Sequence, residues 1–243
     1  MAKRIIALLL LLLGFGIWGF SLLNNYHSPL TIDKKHGASG QSDYTIFYKN
    51  KAKLDFEITR PDKNDTSILL CIPAAFTSLD KYDVDGLYIC DGTVGNVKRI
   101  NHSLGGGIEI INGECTIFET HNGKLLTDSL INSITTARGS FFQQICMIDS
   151  GKVAHFKPNE MTWRRGIAVF KDGKTAIIES NSPVELATFA NDAAAFGVTY
   201  LIYTDMGAWD EGWYRNPTNG ELVVLGYSKS QTGKQSNWVV FKR

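Results

Sequence analysis

Six short polar dipeptides punctuate the chain: Asp91-Gly92, Asn112-Gly113, Asn122-Gly123, Ser150-Gly151, Asp172-Gly173 and Asn219-Gly220. Asn-Gly and Asp-Gly pairs adopt the positive φ angles of tight hairpin turns at little steric cost, so a chain carrying them at intervals folds as a series of antiparallel hairpins. The segments between them are short and rich in β-branched and aromatic residues. Strands are expected at Tyr44 to Tyr48, Leu54 to Ile58, Ile68 to Ile72, Ile108 to Ile111, Cys115 to Glu119, Gly166 to Phe170, Thr175 to Glu179 and Trp238 to Phe241.

Two helices interrupt this pattern. Ser182-Pro183-Val184-Glu185 has the form of a capping box with proline at the first helical position. Leu186, Phe189, Ala190, Ala193 and Phe196 follow at helical spacing, and Gly197 supplies the stop. A second helix is expected around Asp128 to Thr136, capped by Thr127. Many hairpins with two segregated helices give an α+β fold with a mainly antiparallel sheet.

Ahead of this domain, residues 5 to 23 carry no charge and follow Lys3 and Arg4, the charge order that keeps an N-terminus in the cytoplasm. The run is long enough to span a bilayer as a hydrophobic helix, and no Ala-x-Ala site follows it. It reads as a signal anchor, with a cleaved signal peptide as the alternative. The chain is therefore expected in the cell envelope, extracytoplasmic or periplasmic, and in contact with the membrane through residues 1–23. Residues 24–42 read as a linker and 43–243 as one domain.

The 243 residues carry a formal net charge of +1 with no basic block in the folded part, which excludes an electrostatic footprint for nucleic acid. Cys71, Cys90, Cys115 and Cys146 form no Cys-x-x-Cys pair, and each sits in an apolar run, so buried thiols and disulfides both remain open. The five histidines show no ligand spacing, and neither a metal nor a cofactor is expected. Asp80, Asp83 and Asp85 lack the closing glutamate of a calcium loop and read as a solvated turn. Gly105-Gly106-Gly107 has no lysine after it and reads as a bend or bulge rather than a phosphate loop. No Gly-x-Ser-x-Gly elbow is present.

The candidate chemistry gathers in two places. Residues 204–215 place Asp205, Asp210, Glu211, Trp209, Trp213 and Arg215 in a loop after the apolar run Val198 to Tyr203, which delivers Asp205 to a strand end. Arg164 and Arg165 open the strand Gly166 to Phe170, one facing each side. Either is suited to bidentate phosphate or carboxylate recognition, and a pair of edge charges is the plainer alternative.

The order of segments from about 66 to 226 resembles the phosphodiester glycosidase family. Ile68 to Phe76 is similar to its apolar strand ending in Asn-Gly-Gly-Phe-Phe, with Pro73-Ala74-Ala75 in place of Asn-Gly-Gly. Gly86 to Gly92 resembles the next strand and turn, and Gln143 to Lys152 a Gln-x-x-Pro-x-Leu-x-x-x-Gly-Lys segment. Arg164 to Lys174 resembles the Arg-Thr-Ala-Ile-Gly strand and hairpin. Glu185 through Asp205 resembles the closing helix, strand and Asp-Gly-Gly-Gly-Ser loop, with Met206, Ala208 and Trp209 where the family keeps glycines and serine.

The resemblance implies hydrolysis of a bond between a sugar's anomeric carbon and a phosphodiester oxygen. It assigns Asp205 as the first catalytic carboxylate, with Asp210 or Glu211 as the second, Arg164 or Arg165 as the phosphate holder, Trp209 or Trp213 as the sugar platform, and Ala74 as a substrate-facing position. The implied partner is a carbohydrate or sugar phosphate. The alternative is an inactive module of the same fold that binds a glycan or a protein.

Overall fold

The computed structural model describes residues 28–95, 99–207, 210–227 and 229–243. The expected hydrophobic helix at 1–23 and Trp209 lie outside them. Among the described residues, no helix is long and apolar enough to cross a membrane. The fold is α+β, built on three antiparallel sheets and two helices among these residues.

The first sheet runs in the order β1 (Leu30–His36), β2 (Asp43–Lys49), β13 (Thr175–Ser180), β12 (Arg165–Phe170), β14 (Val198–Tyr203), β10 (Cys146–Asp149) and β11 (Lys152–Val153). The second runs β16 (Leu222–Leu225), β15 (Gly212–Arg215), β4 (Ile68–Pro73), β17 (Trp238–Lys242) and β3 (Lys53–Glu57). The third runs β6 (Thr93–Val94), β5 (Tyr88–Cys90), β9 (Ser140–Gln144), β7 (Gly106–Ile111) and β8 (Glu114–Glu119).

The turn dipeptides make the hairpins. Asp91-Gly92, Asn112-Gly113 and Ser150-Gly151 each hold both residues at positive φ, joining β5 to β6, β7 to β8 and β10 to β11. That double-positive geometry matches the right-handed twist of the strands it connects.

Because side chains alternate across a strand, each sheet sorts its residues between two environments. One face of every sheet meets a common core: Phe47, Ile167, Ile177 and Ile202 from the first, Leu70, Ile72, Val239 and Phe241 from the second, and Ile108, Ile110 and Phe142 from the third. The other face of the first sheet carries α2 (Leu186–Ala195), whose Phe189, Ala190 and Ala193 pack on Ile46, Ala168, Ile178 and Leu201. The third sheet carries α1 (Asp128–Thr136), with Ile131 and Ile134 on Ile89 and Phe141. Thr127 caps α1 by accepting the Leu130 N–H. The second sheet turns Cys71, Trp213, Trp238 and Val240 outward.

Two expectations need correction. Residues 30–36, placed in a linker by composition, form strand β1 and pair with β2 along their whole length. Its charges, Asp33, Lys34 and Lys35, lie on an edge strand, where solvent replaces a packed neighbour. Helix α2 also starts later than the capping box suggests: its N-cap is Glu185, which makes no side-chain cap bond. Ser182 is taken by the tertiary structure, its Oγ reaching Ser42 Oγ and its N–H donating to the same atom, while Val184 bridges to Thr162. Gly197 ends the helix at φ +93°, as expected.

The remaining motifs are structural. Gly106 and Gly107 lie inside β7, where a Cβ on Gly106 would come within 2.7 Å of the Cys146 backbone nitrogen. Asp83 pairs with Arg99 and Asp85 accepts from Asn101. All four cysteines are free thiols, and burial pushes Cys71 up to about 12 and Cys115 up to about 11. Among the described residues no His, Cys, Asp and Glu cluster has the makings of a metal site.

Candidate functional site

Strands β4 and β14 end side by side, and their ends bring Ala74 and Asp205 together. The Asp205 N–H donates to the Ala74 carbonyl at 2.9 Å, and the Ala75 N–H and C=O are both held by the Asn237 side-chain amide. The Asp205 carboxylate is 4% exposed as part of its residue, and its Oδ1 accepts the Gly207 N–H at 3.2 Å. Ala74 and Ala75 are fully buried.

Arg164 and Arg165 go to opposite faces of β12. Arg164 lies beside Tyr203 with its guanidinium over the ring at 5.9 Å. Its Nε donates to the Val184 carbonyl at 3.1 Å, and its Nη2 to Asn159 Oδ1 at 3.0 Å and to the Glu160 carbonyl at 2.6 Å. Nη1 has a long 3.5 Å contact with the Tyr203 hydroxyl. Burial and the Asp205 carboxylate push the Tyr203 phenol up, against the opposing pull of Arg164.

Arg165 points to the common core and is fully buried. Its Nε donates to Glu179 Oε2 at 2.6 Å, directly across the β12–β13 pairing, and its Nη1 and Nη2 clasp Asp210 at 2.8 and 3.3 Å. Asp210 is likewise fully buried. Burial works to lower the Arg165 pKa, but the two carboxylates outweigh it and hold the guanidinium charged. Gly226, at φ +92°, leaves room for this arrangement: a Cβ there would come within 2.4 Å of the Asp210 carbonyl oxygen.

The three loop carboxylates therefore separate. Asp205 stays at the strand ends with Ala74 and Arg164. Asp210 turns inward to Arg165. Glu211 turns to the outer face of the second sheet, where Lys63 at 2.7 Å and Arg60 at 3.2 Å hold it. The Lys63 hydrogen bond is the main reason its carboxyl lies below the usual glutamate range. Trp213 also faces outward, opposite Cys71 in β4, so it does not share a surface with Asp205.

The pairing of β14 with β10 and β12 adds two residues that the sequence reading did not single out. Tyr203 N–H donates to the Ile145 carbonyl and Thr204 N–H to the Arg165 carbonyl, which sets Thr204 between Gln144 and Arg165. Thr204 Oγ1 and Gln144 Nε2 are buried and have no hydrogen-bond partner among the described residues. Both can donate to an oxygen. A buried donor without a partner costs about 1–3 kcal/mol, so each of these atoms is a place where the oxygen of a water or of a ligand can be received. Position was the available signal: Thr204 precedes Asp205, and Gln144 lies in a segment already matched to the family.

No family model matches the chain, and no curated protein is similar to it in sequence. Solved structures do share its architecture. A hypothetical protein from Synechocystis superposes with a TM-score of 0.59 at 12% identity, over 88% of this chain and 62% of that one. The catalytic domain of zebrafish N-acetylglucosamine-1-phosphodiester alpha-N-acetylglucosaminidase, in a form auto-inhibited by its pro-peptide, gives 0.58 at 12% identity, over 88% of this chain and 82% of that one. The chain has a phosphodiester-glycosidase-like fold. This chain spans less than two thirds of the Synechocystis protein, and at 12% identity the likeness is one of fold alone.

Proposed function

We propose that the strand-end site acts on a sugar-1-phosphodiester or a related glycan linkage, in a domain exported to the cell envelope. The observation that carries the reading is the pair of buried donors with no partner among the described residues, Thr204 Oγ1 and Gln144 Nε2, at the ends of β14 and β9, the first of which leads directly into Asp205. Donors of this kind suit phosphoryl or sugar oxygens, and Arg164 Nη1 adds charge at the same end of the sheet. A phosphate monoester is a good leaving group, so the reaction requires less from a general acid than ordinary glycoside hydrolysis. One carboxylate, Asp205, then suffices to activate water or to stabilise the oxocarbenium-like centre. Asp210 is committed to Arg165 and Glu211 faces elsewhere, so neither enters this scheme.

That same shortage of carboxylates favours a second reading, a module that binds sugar phosphates without turning them over. The two are separated by assaying the purified full-length chain against sugar-1-phosphodiesters. Hydrolysis that falls at least about a hundredfold in Asp205→Asn supports catalysis; binding by calorimetry without release of phosphate monoester supports the module. Thr204→Val tests the site in either case. It removes an unpartnered hydroxyl at nearly constant shape, so it should weaken ligand binding while raising stability by about 1 kcal/mol. Unchanged binding together with lowered stability would show Thr204 to be an ordinary core residue and remove the basis of the proposal.

A further inference from the structure

Two neighbouring arginines at the start of β12 are neutralised very differently. Arg165 is clasped by the carboxylates of Glu179 and Asp210. Arg164, at 8% exposure, makes no ion pair among the described residues. Its Nε and Nη2 donate to the Val184 and Glu160 carbonyls and to the Asn159 side-chain oxygen, all of them neutral acceptors. A guanidinium cannot shed its proton in a protein, and a buried charge is tolerated where an opposite charge joins it. The charge of Arg164 is therefore placed for an anion that the described residues do not supply at contact distance.

Nη1 marks where that anion sits. Its one contact is with the Tyr203 hydroxyl, at a long 3.5 Å. Guanidinium groups only donate, so the phenol oxygen accepts here and the phenol hydrogen is left without an acceptor among the described residues. Tyr203 is 5% exposed, and burial is the main reason its phenol is pushed up, so the hydroxyl keeps its proton at neutral pH. The fold fixes both groups: Tyr203 pairs with Gly166 of β12, and its ring lies between Phe76 at 6.0 Å and the Arg164 guanidinium at 5.9 Å. Two donors thus stand 3.5 Å apart, a spacing at which one oxygen can accept from both. Asp205, two residues beyond Tyr203, is near enough to act on the same phenol, so an oxyanion held there lies beside that carboxylate. Segment 154–161, which holds Nη2 through Asn159 and Glu160, contains no helix or strand and is mostly exposed, so it is the part of the wall that yields to a ligand.

We propose that Arg164 Nη1 and the Tyr203 hydroxyl form the oxyanion subsite of the strand-end site, receiving one phosphoryl oxygen between them. The inference rests on the reading of that site as one for sugar-1-phosphodiesters, and it adds Tyr203 as a residue that touches the ligand. Tyr203 binds the phosphoryl group and transfers no proton.

Inorganic phosphate is the probe, titrated into the full-length protein and followed by calorimetry and by melting temperature. Phosphate should bind and raise the melting temperature. Tyr203→Phe keeps the ring and its packing. It should weaken phosphate about tenfold, the worth of one hydrogen bond to a charged group, with little change in melting temperature when phosphate is absent. Arg164→Gln should abolish binding, and Tyr203→Phe decides the matter if Arg164→Gln does not fold. A Tyr203 that serves only the core behaves in the opposite way: Tyr203→Phe then loses stability without changing phosphate affinity. That result overturns the proposal, as does phosphate that fails to bind or that binds Arg164→Gln unchanged. Turnover separates this inference from the reading beneath it. If phosphate binding depends on Tyr203 while no diester is hydrolysed, the subsite stands and the catalytic reading falls. If Tyr203→Phe hydrolyses diesters with an unchanged KM, the catalytic reading stands and the subsite falls.

Discussion

At the scale of single residues, the fate of Arg165 says most about how this molecule is held together. A guanidinium with no solvent exposure is tolerable only because Asp210 clasps two of its nitrogens and Glu179 a third. Replacing it with Met leaves the Asp210 carboxylate buried and unpaired, a loss of about 3–5 kcal/mol. The double variant Arg165→Met with Asp210→Leu removes both charges and should recover most of that loss, since Glu179 keeps a path to water through its 16% exposure. Urea unfolding of the two variants checks this; equal losses would mean that Arg165 acts through shape rather than charge. The pairing also shows what the sequence could and could not convey about the site. That Arg164 and Arg165 face opposite sides follows from strand alternation alone, whereas the choice of Asp210 as a partner 45 residues away depends on how the loop after β14 folds back. The division of Asp205, Asp210 and Glu211 among three environments was equally illegible, because it is fixed by pairing between β15 and β4, which lie far apart in the chain.

At the scale of elements, what was readable was whatever local chemistry decides. Asn112-Gly113 makes its hairpin because both residues sit at positive φ, and Thr127 caps α1 because its Oγ reaches the N–H of Leu130, three positions further on. What was not readable was local chemistry overruled by a distant contact. Ser182 has the credentials of an N-cap, but Ser42 claims its hydroxyl and N–H. Strand β1 is too charged to stand out, yet as an edge strand it requires apolar residues only where Leu30 enters the core. The β15–β16 hairpin joins the two classes at Gly226, where the left-handed backbone and the close approach of Asp210 both require glycine. Gly226→Ala should therefore cost more than backbone strain alone, which is on the order of 1–3 kcal/mol, because the added methyl also pushes Asp210 away from Arg165. Thermal melting of Gly226→Ala beside Gly220→Ala makes the comparison: Gly220 shares a positive φ of 74° but has open space around it. If the two lost the same stability, the Asp210 contact would be irrelevant.

At the scale of the whole molecule, the stretch before residue 43 closes the first sheet and is fastened at a second point. The Ser39 N–H, the Ser39 hydroxyl and the Tyr44 hydroxyl all donate to the Asp192 carboxylate of α2, at 2.8, 2.7 and 2.7 Å. Asp192 is 1% exposed, so these donors keep a charge satisfied inside the domain, and a Cβ on Gly37 would come within 2.4 Å of its Oδ2. A fragment beginning at residue 43, the boundary that composition suggests, loses β1 and two of those three donors. Two hydrogen bonds to a charged group amount to about 3 kcal/mol or more, a large part of the stability of an ordinary domain. The same cut opens the hydrogen-bonding edge of β2, whose Tyr44, Ile46 and Phe47 form a strand suited to pairing with another copy. A fragment of residues 28–243 should therefore run as a monomer in size-exclusion chromatography with light scattering, and one of residues 43–243 should self-associate and melt at lower temperature. Adding Asp192→Asn to the shorter fragment removes the unsatisfied charge but not the open edge, so it should restore part of the melting temperature and leave the self-association. A shorter fragment that stayed monomeric and melted with the longer one would return residues 28–42 to the role of a linker.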